Sequence, residues 1–588
     1  MQSNMEYGYK DGKIIVKGKY YEEVRYDISN EKIAVTTDGT GGLLSYRIVN
    51  RAGNCLSTFL GITFFRDGRP LDPYQEKRVE MIGRTQTVFL PENNISVKTF
   101  LSKDVNGVFF DVSTSGSHLE MAVNCRDAKR NEDATNVTVV EGAGFRFSFS
   151  EKGFWSKEND SFYLPCNTTL RFVLTFGEEP LHDVLDDFEG YAKACEEEIK
   201  TIHFPASVKS EEEKALYVAA YFTALENHKT VGDFRAFAAG INYLDPLRTY
   251  FRDGYFTVLP MYGRHAELVR AQILTLAKGI SSDGTCPSAV KSDFSAFWGD
   301  HYDSPSFFVM MLCDYVKHTG DKGILEENVH GDTLLALADK VLTKLSKKSD
   351  ETGLLYKEGY YNKRDWADEV NRNGYVTYVE ALYARALFSA SKLFAEKDEI
   401  KSISYLQAFE RVKDAINTIL FDEEKGYYVN YKTPSFTEDN LSIDTVFTLL
   451  FGIADDRRAN LVLDNMERIL ETRNNTSQKG GDYGVMCVYP PYKKQAASHK
   501  SMRPYDYHNG ANWCYLSAMY AYAKYLYGRD HSYPLLSCFS YNVARGNYTL
   551  VEYFSPCCKT GSPLQGWSAA IAFVYENIGK PSFFKEMK

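Results

Sequence analysis

The spacing of hydrophobic and polar positions changes once along this chain, near residue 180. Up to about Phe176, apolar residues alternate with polar ones over short stretches such as Lys13–Val16, Lys32–Thr36, Ser96–Phe100, Asn136–Val140 and Thr169–Leu174, separated by Gly, Asn and Asp clusters. A period of two between turn residues predicts antiparallel strands buried on one face, and so a β-sandwich. From Leu181 to Lys200 the pattern turns helical and leads through Phe204-Pro205 to Ser210, whose three following Glu residues mark an N-cap and an acidic first turn. A helix to about His228 is expected there.

Beyond it nearly every periodic segment is helical, and the segments alternate in kind. Those starting near Asp253, Asp303, Tyr375, Ser442, Gly510 and Gly566 follow loops rich in Asp, Trp, Tyr, His and Gly. Those near Ala266, Asp332, Ile403, Arg458 and Ser532 follow plainer connections. A recurrence of roughly fifty to seventy residues is the mark of a repeated helical hairpin. The helix at 211–228 completes a sixth pair, which favours a closed (α/α)6 barrel over a linear solenoid. The expected organisation is mainly α: an antiparallel β-sandwich domain at residues 1–180, a helical linker at 181–204 and an (α/α)6 barrel catalytic domain at 205–588.

Bulk properties narrow the partners. The 588 residues exceed one ordinary core, and the net charge of −10 supplies no basic face for nucleic acid or an anionic membrane. The first residues show neither the basic nor the apolar region of a signal peptide, and no apolar run suits a membrane span. Eleven irregularly spaced Cys fit free thiols in a reducing cytoplasm. Cys557-Cys558 has no His or Cys at ligand spacing, so neither a metal nor another cofactor is expected. Most of the 42 Tyr and 37 Phe are expected in core packing.

Chemistry concentrates at Arg364-Asp365-Trp366-Ala367-Asp368-Glu369-Val370-Asn371-Arg372-Asn373-Gly374, a crowd of carboxylates around a Trp just before a helical run. Such a segment makes a poor core and a good wall for a polar ligand. A distant second carboxylate, Glu552, also precedes a helical run. One protonated and one ionised carboxyl group are what glycosidic bond cleavage requires.

These pieces resemble the clan of six-hairpin glycosidases: the amylo-α-1,6-glucosidase domain of glycogen debranching enzymes, processing α-glucosidases, trehalases and the related cellobiose-type phosphorylases. The resemblance covers most of residues 205 to 580. Phe251-Arg252-Asp253-Gly254 is similar to the Arg-Asp motif with which debranching enzymes grip the terminal sugar, and Asp283-Gly284-Thr285-Cys286-Pro287 with Tyr302-Asp303-Ser304-Pro305 to the segment that follows. Asp365-Trp366-Ala367-Asp368 resembles the acid loop, Tyr507-His508-Asn509-Gly510-Ala511-Asn512-Trp513 the Tyr-His-Asn-Gly-x-x-Trp motif, and Glu552-Tyr553-Phe554-Ser555-Pro556 with Gln565-Gly566-Trp567 the base segment of processing α-glucosidases.

The resemblance implies an inverting, exo-acting glycoside hydrolase of α-glucosidase type, with Asp368 as general acid, Asp365 as runner-up, and Glu552 as general base. Its substrate is expected to be a short oligosaccharide rather than glycogen, for want of a transferase domain. Substrate contacts are expected from Arg252, Asp253, Trp298, Asp300, Asp303, Asp365, Trp366, Arg372, Tyr507, His508, Asn509, Trp513, Gln565 and Trp567. Two alternatives stand beside it: an inverting phosphorylase, in which inorganic phosphate is the nucleophile and Glu552 would repel it, and a non-catalytic sugar-binding protein. The partner in every case is a small carbohydrate, and nothing in the residues sets the oligomeric state.

Overall fold

The computed structural model describes residues 6–585 apart from 20–23, 51–59, 104, 116–118, 126–128, 132–138, 143–144, 150–153, 157–160, 167–168, 177–181, 198–201, 359–363, 494–495 and 558–559. The start of the strand expected at 136–140, the ends of the helical stretch expected at 181–200, and Cys558 therefore lie outside the described residues. The chain divides into two compact units, one comprising residues 1–230, 240–247 and 539–550, the other 231–239, 248–538 and 551–588.

The first unit holds a ten-stranded and a five-stranded antiparallel sheet, with a further three-stranded one, as the period-two pattern predicts for a β-sandwich. Strand register explains its stability. Val16 faces Val79, Val79 faces Val88, Val88 faces Val97, Val97 faces Val112 and Val112 faces Leu170. All six are fully buried, so one row of opposed branched side chains runs across the sheet, the cross-strand pairing that favours this register over a slipped one. The helix Phe188–Glu197 lays Phe188, Ala192 and Cys195 onto Phe100 and Phe109 of that sheet. The helix Glu211–Glu226, grouped with this unit, opens with a full capping box between Ser210 and Glu213.

In the second unit the loop-led helices are Phe251–Val258, Ser304–Thr319, Thr377–Phe394, Phe447–Leu450, Cys514–Leu526 and Ala570–Asn577. Their plainer partners include Ala266–Lys278, Leu334–Ser346, Glu399–Ala415 and Asp456–Ile469. Burial separates the two sets. Helix Thr377–Phe394 is buried on nearly every side. Helix Leu334–Ser346 buries only Leu334, Leu337, Ala338, Val341, Leu342 and Leu345, one stripe at helical spacing. A helix apolar all round belongs inside and a striped one outside, which is the two-layer logic of an (α/α)6 barrel. Rings from the inner helices meet in the middle: Phe256 lies 5.6 Å from Phe307, 6.0 Å from Phe447 and 4.7 Å from Tyr515, Tyr378 lies 5.8 Å from Phe447, and Trp567 stacks on Tyr515 at 4.5 Å. Much of the aromatic content is thus core. None of the described helices is long and apolar enough to cross a membrane.

Because the polar loops occupy the amino ends of the inner helices, the other ends need a separate closure. Phe583 and Phe584, both buried, supply it. Lys317 donates to the Phe583 carbonyl at 3.0 Å, Arg385 to the Phe584 carbonyl at 2.9 Å, and the Phe584 ring packs on Phe451 and Phe573. Phe584→Ala keeps those main-chain acceptors and removes only the ring, and is expected to cost about 3–5 kcal/mol in urea unfolding; a loss below roughly 1 kcal/mol would show that this end is not packed as described.

Candidate active site

Two loops at the amino ends of inner helices carry the sequence-predicted carboxylates. Asp368 lies on the loop before Thr377–Phe394, with its side chain 20% exposed. That loop is anchored from behind. Asp365, fully buried, accepts from Lys357 Nζ at 2.5 Å, Arg372 Nη2 at 2.8 Å and the Ala367 amide at 2.8 Å. Burial opposes its charge, yet Arg372 and Lys357 together hold its carboxyl well below the usual carboxylate range. A carboxyl group so committed has no proton to donate, and Asp365 is a structural anchor instead of the runner-up acid. Arg372 also donates to Asp444 Oδ2 at 2.6 Å and Asn430 Oδ1 at 3.2 Å, and Trp366 Nε1 reaches the same Asp444 oxygen at 2.6 Å. Gly374 closes the loop at a φ of +77°, where a Cβ would stand 2.2 Å from the Lys432 carbonyl oxygen.

Glu552, 9% exposed, lies on the other loop. Its amide donates to the Ser562 carbonyl at 2.7 Å and its Oε2 accepts from the Ser562 amide at 3.1 Å. Gly561 lets that turn fold back, since a Cβ there would meet Glu552 Oε2 at 2.7 Å.

The segment 496–513 touches both loops. Toward the Asp368 loop, Ser498 and Asn371 make backbone hydrogen bonds with Glu369 and Ala496, and the Glu369 amide donates to His508 Nδ1 at 3.4 Å. Toward the Glu552 loop, Asn512 and Phe554 pair through both backbone groups at 2.9 and 3.0 Å, and Ser555 Oγ donates to the Tyr505 carbonyl. Between these contacts Trp366, His508, Trp513, Tyr507 and Tyr553 form one aromatic wall, with His508 stacked on Trp513 at 4.9 Å and 11° and Trp513 on Tyr553 at 5.3 Å. Burial, then Arg372, holds the His508 imidazole well below its ordinary pKa, so it is neutral.

Arg252 and Asp253 come from the first inner helix. Arg252 donates to Asp303 at 3.0 Å and lies 3.7 Å from Asp253. Asp303 also takes His301 Nδ1 at 2.7 Å and Tyr378 Oη at 3.2 Å. Burial works against its charge, but His301 and Arg252 hold Asp303 below the usual range. Asp253 accepts from Gln565 Nε2 at 3.1 Å. Burial pushes the Asp253 carboxyl up to about 7 against the pull of Arg252, with the Glu552 carboxylate adding to the rise.

The remaining expected residues divide. Trp567 is buried on Tyr515. Trp298 is the exposed one at 43%, stacked on Phe297. Asp300 pairs with Lys348 at 2.5 Å. Both ends of the buried Asn509 amide serve the framework, accepting from the Tyr492 amide and donating to the Ser501 carbonyl. Asp444, Lys357, Tyr378 and His301 join the site without having been expected from the sequence; of these only Asp444, a lone charge in the apolar run Leu441–Leu450, leaves a trace there. Among the described residues no group of three His, Cys, Asp or Glu is placed to hold a metal ion.

Several buried polar atoms of this one neighbourhood have no hydrogen-bond partner in the protein: Arg252 Nε, Asp253 Oδ2, His508 Nε2, Gln565 Oε1 and Trp567 Nε1. Buried polar groups are normally satisfied, and donors and acceptors of both kinds gathered beside aromatic faces suit a polyhydroxylated ligand.

Residues 235–573 match the family model described as amylo-alpha-1,6-glucosidase. A bacterial glucoamylase crystallised with acarbose superposes with a TM-score of 0.67 at 13% identity, covering 99% of this chain and 98% of the other. A rhamnosidase from Klebsiella oxytoca with rhamnose bound gives 0.51 at 15% identity, covering 83% and 88%. At those identities the two structures speak to the fold. No curated protein matches by sequence.

The raised Asp253 carboxyl has a consequence for stability. An acid whose folded pKa of about 7 exceeds its ordinary value of 3.8 keeps its stabilising contribution below the lower value and loses it as pH rises through the upper one. Asp253→Asn should therefore melt close to wild type near pH 4 and above it near pH 8, by at most about 4 kcal/mol. A wild-type advantage that grows with pH would refute the shift.

Proposed function

The chain belongs to the amylo-alpha-1,6-glucosidase family, a glycoside-hydrolase-type lineage, and we propose that it is an inverting, exo-acting hydrolase of α-glucosidase type on short oligosaccharides. The observation that carries this reading is the set of partnerless buried polar atoms lying beside two carboxylate-bearing loops. In the proposed reaction Asp368 protonates the leaving glycosidic oxygen while Glu552 removes a proton from a water on the opposite sugar face. The mechanism needs the two carboxyl groups roughly 6.5–9.5 Å apart to admit that water. Arg252, Asp253 and Gln565 would grip the hydroxyls of the terminal sugar, Arg252 being held rigid by Asp303. Glu552 is supported as the base because its Oε2 is already fixed by the Ser562 amide, a donor that favours the ionised form. Glycan contact is assigned to the mouth-facing residues, whereas Asp365, Arg372 and Asn509 are assigned to support.

Phosphorolysis is the second reading, favoured by the likeness of Asp365-Trp366-Ala367-Asp368 to phosphorylase acid loops. Asp368→Asn and Glu552→Gln should each lower turnover of an α-glucoside by about 10²–10⁴-fold with unchanged circular dichroism. NMR of the first-formed sugar should show the β-anomer from an α-linked substrate, in phosphate-free buffer. A strict phosphate requirement, a retained anomer, or near-normal rates in either variant would each overturn the reading.

A further inference from the structure

We infer that Tyr515 is a specificity-determining residue, whose hydroxyl at the floor of the site donates to one hydroxyl of the terminal sugar. The inference rests on the glycoside reading made above and adds a residue to it. Tyr515 is the second residue of the inner helix Cys514–Leu526, just past Trp513 of the aromatic wall. Its ring meets residues from three sides of the site: Trp567 stacks on it at 4.5 Å, Phe256 lies at 4.7 Å, and Trp366 of the Asp368 loop stands edge-on at 6.4 Å. The side chain is fully buried, yet its Oη has no hydrogen-bond partner in the protein. A buried hydroxyl is normally satisfied.

A second tyrosine supplies the comparison. Tyr378 is likewise the second residue of an inner helix, Thr377–Phe394, and likewise fully buried, but its hydroxyl donates to Asp303 Oδ2 at 3.2 Å. One hydroxyl is used by the framework and its counterpart is not. The charged groups acting on the Tyr515 phenol are Arg252, Asp444, Asp253 and Asp303, all from the amino ends of other inner helices, so the hydroxyl lies where those ends converge. Burial holds the phenol well above its ordinary pKa, which keeps it a neutral donor. Two of these neighbours also carry a buried oxygen with no hydrogen-bond partner, Asp444 Oδ1 and Asp253 Oδ2. A sugar hydroxyl both accepts and donates, so it can take the Tyr515 hydrogen and pass its own to a carboxyl oxygen. A sugar lacking that hydroxyl would leave the buried donor unmet and is disfavoured for that reason.

Tyr515→Phe removes the hydroxyl and keeps the ring, so a comparison over an aryl α-glucoside and its 2-, 3-, 4- and 6-deoxy analogues isolates the role. The variant should lower kcat/KM about 10- to 100-fold on the parent glucoside and on three analogues, but stay within about threefold of wild type on the one analogue that lacks the hydroxyl Tyr515 reads. Tyr378→Phe is the framework control and should change all five substrates alike. A uniform loss from Tyr515→Phe, or no loss on any substrate, would overturn the inference. Calorimetric binding of the corresponding methyl glycosides to protein carrying Asp368→Asn, with and without Tyr515→Phe, runs the same comparison without chemistry. The single-position pattern in binding, with no turnover by wild type, would sink the hydrolase reading and leave Tyr515 its role. Turnover by wild type with a uniform Tyr515→Phe loss would do the reverse, and a wild type that neither binds nor turns over any of the five overturns both.

Discussion

The buried guanidinium of Arg372 is the contact on which the Asp365–Gly374 loop depends. It joins Asp365, seven residues earlier in the chain, to Asp444 in the next inner-helix loop, and with Lys357 it makes a set of two cations and two carboxylates. Taking four charges out of water is costly, and mutual attraction offsets that cost only where geometry is good and remaining hydrogen bonds are made. Asp365 also takes an amide hydrogen and Asp444 a Trp366 indole hydrogen, while Arg372 Nε and Asp444 Oδ1 are left without a hydrogen-bond partner. The set is better understood as fixing one loop conformation than as adding net stability. Breaking any member would strand a buried charge, so alternative placements of the loop are penalised far more than the native one is favoured.

Rigidity behind the loop matters because of what stands in front. Asp368 is only three residues beyond Asp365, and Trp366 between them is fixed by Asp444 and by the rings of His508 and Trp513. The same aromatic wall continues to Tyr553, next to Glu552. The Asp368 and Glu552 loops are thus referred to one common element, the 496–513 segment, and errors in their relative position do not accumulate through separate helices. If these two carboxyl groups act as proposed, proton transfer is steep in distance and angle, and a shared frame is the most direct way to hold them in register.

The fold was legible because its two layers differ in pattern: plain stripes outside, and inside, helices that follow loops crowded with polar and aromatic residues. Boundaries shifted for local reasons. The expected start at Ser442 became a 3-10 turn over Ile443–Val446 before a helix at Phe447–Leu450, and that at Gly510 moved to Cys514 because Gly510 adopts a positive φ and Trp513 is still extended. The polar residues of the 364–374 segment were legible as a cluster, not as roles. Asp365 and Asp368 differ only in what lies behind them, and the partners of Asp365 that decide the matter include Arg372, whose second contact is 72 residues away in sequence. Asn509 could not be told from a ligand contact, since its partners Tyr492 and Ser501 are neighbours only through the turn of the loop.

Charge also bears on which nucleophile the hollow can admit. Burial drives the Asp253 carboxyl up to about 7, and the Glu552 carboxylate adds to the rise. On the reading proposed above Glu552 is the ionised group, and a neutral water loses little on approaching it and gains a proton acceptor. A phosphate dianion would meet repulsion at the same place. Among the described residues, several nearby cations are committed to carboxylates: Arg252 to Asp303, Arg372 to Asp365 and Asp444, Lys357 to Asp365, and Lys348 to Asp300. Lys500, which lies over the rings of Tyr507 and Tyr553, is exposed and brings one screened charge. On the hydrolytic reading, drawing these cations to a phosphate would disturb ion pairs that hold the loops, whereas a water would leave them in place.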